Sequence, residues 1–296
     1  MIVNSKRNMP NPASAADAAA DTAADTVFAA PFRLDGARSH VLAAASVAGS
    51  YRIDLYTPSG AAPQAGWPLL LLLDADGSFA TAVEAVRRMG RRPDATGVAA
   101  AVVAGVSALD PGDARSVRRR DFTSPGGVGR GGGGAPGFAR FLEAEVLPLV
   151  DSTVPLDRAR RTLFGHSLSG YFALWLLANR PGLFRDYAAV SPSIWWDPPG
   201  LRSGLAALAG SDRRALVLMG EWEDRIPPWQ LLHPGVEEVR ARRAARRLLE
   251  NARETAALLA DVLGEGQARF ELLADEDHAS IVSAAIPRAL RMAARP

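Results

Sequence analysis

Five consecutive leucines, Leu69 to Leu73, constrain this chain more than any other feature. A strand with one face in water alternates apolar and polar residues, because successive side chains point to opposite faces. A run without a polar residue needs cover on both faces, which is the habit of strands inside parallel sheets flanked by helices. The run follows Trp67-Pro68 and stops at Asp74-Ala75-Asp76-Gly77, so it reads as a buried strand entering a loop. Further strands are expected at Gly97 to Val106, Arg161 to Phe164, Tyr187 to Val190, Ala215 to Met219 and Arg269 to Leu273. Helical spacing fills the intervals at Phe79 to Met89, Phe138 to Val150, Leu168 to Asn179 and Ile281 to Met292. A single long amphipathic helix is expected from Gly235 to Leu263, with Val236, Val239, Leu248, Leu249, Leu258, Leu259 and Val262 on its apolar stripe. Strands alternating with helices predict an α/β protein with a mainly parallel central sheet covered on both sides.

Some segments depart from that alternation. Tyr51-Arg52-Ile53-Asp54-Leu55-Tyr56 alternates and turns at Thr57-Pro58-Ser59-Gly60, which predicts an antiparallel strand with one wet face. Residues 108–136 are rich in Gly and Pro and read as one long loop. Residues 1–26 are expected to be a disordered Ala/Asp-rich tail, and roughly the first 45 to stay out of the core. With 296 residues, 48% of them apolar, residues 27–296 suit one large domain.

Composition narrows the function classes. The formal charge is only +2, and no basic arm or stripe beyond the short run Arg118-Arg119-Arg120 is read as a footprint, so no nucleic-acid partner is expected. The absence of cysteine excludes disulfides and thiol nucleophiles. No apolar run reaches the ~18 residues a membrane helix needs, and the start lacks the apolar core of a signal peptide. A cytoplasmic protein with no membrane partner is the expectation. Asp74 and Asp76 are too few ligands for a metal site, and no cofactor is called for.

The chemistry concentrates in Leu163-Phe164-Gly165-His166-Ser167-Leu168-Ser169-Gly170. An apolar strand runs into small residues around a serine, and a helix starts at once. This is the nucleophile-elbow arrangement of α/β-hydrolase sheets, with Ser169 where glycine is usual. The helix N-terminus behind Ser167 offers the Leu168 N–H to a developing oxyanion, and a second donor is expected from the loop after the leucine strand, at Ala75 or Asp76.

A serine hydroxyl needs a base. Of four histidines, His40 lies in the N-terminal region and His233 on the surface, while His166 at the elbow is expected to point away from the serine. His278 follows the last strand, where this fold places its base. The acid belongs after the strand Ala215 to Met219, where Glu221, Glu223 and Asp224 compete.

Several motifs together resemble one esterase family of α/β hydrolases, the group of ferric-enterobactin esterases, S-formylglutathione hydrolase and mycolyltransferases. They are Leu72-Leu73-Asp74, Arg120-Asp121-Phe122-Thr123-Ser124-Pro125, the elbow with its Ser169, Ser191-Pro192-Ser193-Ile194-Trp195-Trp196, Gly220-Glu221-Trp222-Glu223 and Asp277-His278. The likeness is greatest to the siderophore trilactone hydrolases. It implies Glu223 as the acid, and an arginine of the 118–120 tract, taken as Arg120, against the anionic iron-catecholate face. It also implies Trp195 and Trp196 as an apolar wall. The implied activity is carboxylic ester hydrolysis on a small-molecule substrate, with a ferric siderophore as the substrate that the resemblance implies. An acyltransferase on the same scaffold and a non-catalytic siderophore-binding protein are the alternatives.

Overall fold

Eight strands form one sheet in the order β1-β2-β4-β3-β5-β6-β7-β8. They are β1 (Ala37–Ala43), β2 (Ser50–Tyr56), β3 (Trp67–Leu73), β4 (Val102–Ala108), β5 (Leu156–His166), β6 (Asp186–Val190), β7 (Arg214–Gly220) and β8 (Ala268–Leu273). Only β2 runs against its neighbours; β4, β3, β5, β6, β7 and β8 pair in parallel. The computed structural model describes residues 33–109, 113–127, 131–264 and 266–295. Gly36–Pro296 make one compact unit. The expected tail at residues 1–26 lies outside the described residues.

The leucine run is β3, and all seven of its residues are buried. It lies between β4 and β5 with Leu71 opposite Ala104 and Leu163. The helices are α1 (Phe79–Met89), α2 (Pro93–Thr96), α3 (Ala114–Phe122), α4 (Ala135–Phe141), α5 (Leu147–Thr153), α6 (Leu168–Asn179), α7 (Pro198–Ala206), α8 (Val236–Arg246), α9 (Leu248–Leu263) and α10 (Ile281–Ala293). A π-helical turn, Leu142–Val146, joins α4 to α5. One core cluster binds the layers, from Tyr51 and Phe138 through Phe172 to Leu259.

Four expectations need correction. β1 belongs to the sheet although it falls within the first 45 residues; an edge strand with half-exposed side chains carries no apolar run to betray it. β2 has no wet face along most of its length: five of its seven residues are buried, Asp54 among them with Arg52 and Ser39 as partners. The long loop at 108–136 contains α3, whose Asp113 side chain accepts the Arg115 N–H as a cap. The single helix expected from Gly235 to Leu263 is two, broken at Arg247, which sits at φ 45° in the left-handed region. Val236 and Val239 fall on α8, which buries no residue, so the apolar stripe belongs to α9.

Candidate active site

The strand order reverses between β3 and β5, since β4 lies on one side of that pair and β6 on the other. Loops leaving two parallel strands diverge at such a point and open a crevice beyond their C-terminal ends. Ser167 leaves β5 there, and the Asp74–Ser78 loop leaves β3 beside it.

Ser167 itself takes φ 61° and ψ −116°, then α6 begins at Leu168. The turn is tight enough that a Cβ on Gly165 would stand 2.1 Å from the Ser169 carbonyl oxygen. Ser169 earns its place by bridging the turn: its Oγ donates to the His166 carbonyl at 2.9 Å and accepts the His166 N–H at 3.0 Å. The Ser167 N–H donates to the Val190 carbonyl at 2.9 Å, and the Ser167 carbonyl accepts from Ser193 N–H at 3.0 Å. The strained residue is therefore held from both sides.

His278 Nε2 lies 3.1 Å from Ser167 Oγ, and His278 Nδ1 lies 2.6 Å from Glu223 Oε2. Glu223 is 2% exposed. Its Oε1 accepts from Ser191 Oγ at 2.5 Å and from the Gly220 N–H at 2.8 Å. Burial pushes the Glu223 carboxyl up, but the bonds from His278, Ser191 and Gly220 together outweigh that and hold it below the usual carboxylate range. The histidine loop is fixed by Asp277, whose carboxylate accepts the N–H groups of Ala279 at 2.8 Å and Ser280 at 2.9 Å. The Trp222 N–H donates to the Glu276 carbonyl at 2.9 Å. Gly220 permits that approach, since a Cβ there would meet the Glu276 carbonyl oxygen at 2.4 Å.

The competing carboxylates are occupied elsewhere. Glu221 pairs with Arg225 at 2.6 Å and accepts the Asp275 N–H at 3.1 Å, and Asp224 is exposed. Among the described residues no group of His, Asp and Glu has the arrangement of a metal site.

A cavity of about 510 Å³ opens over Ser167, walled by Asp74, Asp76, Val117, Arg118, Phe164 and Val282 among others. Asp74 sits at φ 52° and begins the turn Ala75–Gly77. Asp76 lines the cavity, whereas Ala75 is fully buried and does not. Arg118 Nε donates to Asp74 Oδ2 at 2.8 Å. Loss of solvent raises the Asp74 pKa, against the lowering pull of Arg118 and Ser169.

The structure separates the implied substrate contacts from this cavity. Arg120 is directed to Asp121 Oδ1 at 2.7 Å and to Tyr51 at 3.0 Å, and Arg118 is the arginine of the tract that faces Ser167. On a helix the two point in different directions, 200° apart by the 3.6-residue turn. Trp196 is a core residue whose Nε1 donates to the Ser124 carbonyl at 3.3 Å, and Trp195 lies under the Arg246 guanidinium at 4.4 Å. Neither walls the cavity. His166 sits beside the base. Its ring centre lies 4.6 Å from that of His278, and burial, then the neighbouring His278, lowers its pKa to about 4. Ser191 and Ser193 escaped the sequence reading as site residues. Their signal is their position directly after β6, one strand over from the elbow.

The profile of the family described as Putative esterase matches residues 44–248. The chain belongs to this esterase family. Ferri-bacillibactin esterase BesA of Bacillus subtilis is 34% identical over 277 residues, covering 90% of this chain and 92% of its own. The siderophore triacetylfusarinine C esterase of Aspergillus fumigatus is 32% identical over 242 residues, covering 76% of this chain and 80% of its own. Among solved structures, the BES protein from Bacillus cereus superposes with a TM-score of 0.75 at 26% identity, over 91% of this chain and 98% of that one. As a member of this esterase family, the protein is a carboxylic ester hydrolase of the α/β-hydrolase type, as the sequence motifs implied.

Proposed function

We propose that the protein hydrolyses the ester bonds of an iron-loaded siderophore, with Ser167 as nucleophile, His278 as general base and Glu223 as the orienting acid. The observation that carries the mechanism is the unbroken series Ser167 Oγ, His278 Nε2, His278 Nδ1 and Glu223 Oε2, with contacts of 3.1 Å and 2.6 Å. The substrate class rests on the relatives, which are named for ferri-bacillibactin and triacetylfusarinine C.

Glu223 stays ionised and fixes the imidazole with Nδ1 protonated, leaving Nε2 free to accept. His278 Nε2 takes the Ser167 proton while Oγ bonds to the ester carbonyl carbon. The oxyanion is met by the Leu168 N–H and by an amide of the Ala75-Asp76 turn; one such donor contributes about 10²–10³ in rate. The tetrahedral carbon then loses its alkoxide, which leaves with the proton from His278. Water attacks the acyl-Ser167 carbonyl and gives a proton to His278, which returns it to Ser167 Oγ as the Ser167 C–O bond breaks; the carboxylic acid released then ionises in water. Iron is part of the substrate throughout.

Hydrolysis of a short-chain p-nitrophenyl ester and of a ferric trilactone siderophore, for wild type and Ser167→Ala, tests both halves. Wild type is expected to cleave both and the variant neither. Cleavage of the simple ester alone would remove the siderophore assignment and leave the mechanism. Cleavage of neither would overturn the reading.

A further inference from the structure

Ser191 stands where glycine would be the easy choice. Its φ is 45°, in the left-handed region that L side chains avoid. Glycine adopts that conformation without steric cost, so what a serine adds there is its hydroxyl. Ser191 is fully buried, and its N–H donates to the Leu218 carbonyl at 2.7 Å, which ties the end of β6 to β7. Its Oγ is aimed at Glu223 Oε1, 2.5 Å away. A non-glycine residue held in a costly conformation points to a use for that side chain.

Glu223 has few other anchors. Its Oε2 faces His278 Nδ1, the group it has to orient. Its Oε1 also accepts the Gly220 N–H, but Gly220 lies three residues earlier on the same loop and moves with it. Among the described residues, Ser191 is therefore the donor besides His278 that ties this carboxylate to another element. Two residues on, the same segment reaches the nucleophile. The Ser193 N–H donates to the Ser167 carbonyl at 3.0 Å, and Ser193 Oγ stands 3.4 Å from Ser167 Oγ. Pro192 between them has its φ fixed by its ring. Below, the Trp196 N–H donates to the Ser193 carbonyl at 3.1 Å, and the Trp196 side chain lies in the core. One stiff, anchored segment thus grips the acid at one end and the nucleophile at the other.

We propose that Ser191 is a positioning residue: its hydroxyl, aimed by the left-handed turn, fixes Glu223 at the distance from Ser167 that His278 must span. This role rests on Ser167, His278 and Glu223 being the triad, and is indifferent to the identity of the ester. A carboxylate without this tie can turn about its own side-chain torsions and carry the imidazole with it. Small misplacements of a base are costly, about 10² in rate for 1 Å.

Steady-state hydrolysis of a p-nitrophenyl ester by the full chain tests it, with the fluorophosphonate adduct on Ser167 as a check on the nucleophile. Ser191→Ala removes the hydroxyl. Ser191→Gly removes it and also relieves the left-handed turn, so it keeps the test open if the alanine variant folds poorly. Both are expected to lower kcat about tenfold, the size of one lost hydrogen bond to a charged group. KM should change less than about twofold, because Ser191 is fully buried and does not line the cavity. In a Glu223→Gln background, Ser191→Gly should lower kcat by less than about twofold more, since the hydroxyl acts through the carboxylate. Wild-type kcat in Ser191→Gly, or a raised KM at unchanged kcat, would overturn the proposal. So would a further tenfold loss on top of Glu223→Gln, which would mean that the hydroxyl acts by another route. Absence of a Ser167 adduct in wild type would overturn the triad, and this role with it.

Discussion

Ser167 occupies a backbone conformation that a non-glycine residue avoids, and two neighbours hold it there through the Val190 carbonyl and the Ser193 amide. The strain lifts Oγ out of the sheet toward His278. Glu223 matters because a buried carboxylate that keeps its charge can select one imidazole tautomer. Glu223→Gln should lower turnover of a p-nitrophenyl ester by about 10²–10⁴, while Asp224→Asn leaves it near wild type. The reverse ranking would move the acid to Asp224. His166 makes a separate claim about pH. Its folded pKa of about 4 lies below the ordinary 6.5. Between those values the unfolded chain takes up a proton that the native ring refuses, so stability is present above this window and is lost as pH falls through it. Urea unfolding should show wild type losing about 2 kcal/mol more than His166→Gln on going from about pH 7 to about pH 5. Equal losses would mean the ring titrates normally in the fold.

At the scale of elements, the elbow depends on the bridge between the end of β5 and the first turn of α6. Ser169 stands where glycine is usual, and it replaces glycine's compactness with two hydrogen bonds to the His166 backbone. Ser169→Ala should destabilise the protein by about 1–2 kcal/mol, read from the urea midpoint, because both His166 groups lose their partner. Labelling of Ser167 by a fluorophosphonate should persist, since Gly165 and Gly170 still permit the turn. A variant as stable as wild type would show that the bridge contributes nothing. The break at Arg247 is a second element-level feature. Arginine has no liking for the left-handed region, so neither hydrophobic pattern nor composition announces that a helix ends there.

For the whole molecule, the parallel core was legible because Leu69–Leu73 and its fellow runs can only be buried on both faces. The same reading located Ser167 and His278, since chain order and strand ends are sequence properties. Side-chain direction was not legible. Arg118 and Arg120 are two residues apart on α3, and only the packing of that helix decides that Arg118 faces the cavity. Trp195 and Trp196 looked like a wall because aromatic residues serve both cores and sites. Edge strand β1 was invisible for a related reason, its half-exposed side chains carrying no period. The central claim remains that the β5–α6 turn presents a nucleophile. Fluorophosphonate labelling of wild type, with the modified peptide mapped by mass spectrometry, addresses it most directly. The account predicts one adduct, on Ser167, that Ser167→Ala abolishes and His278→Ala greatly slows. An adduct on another serine, or labelling retained by Ser167→Ala, would contradict it.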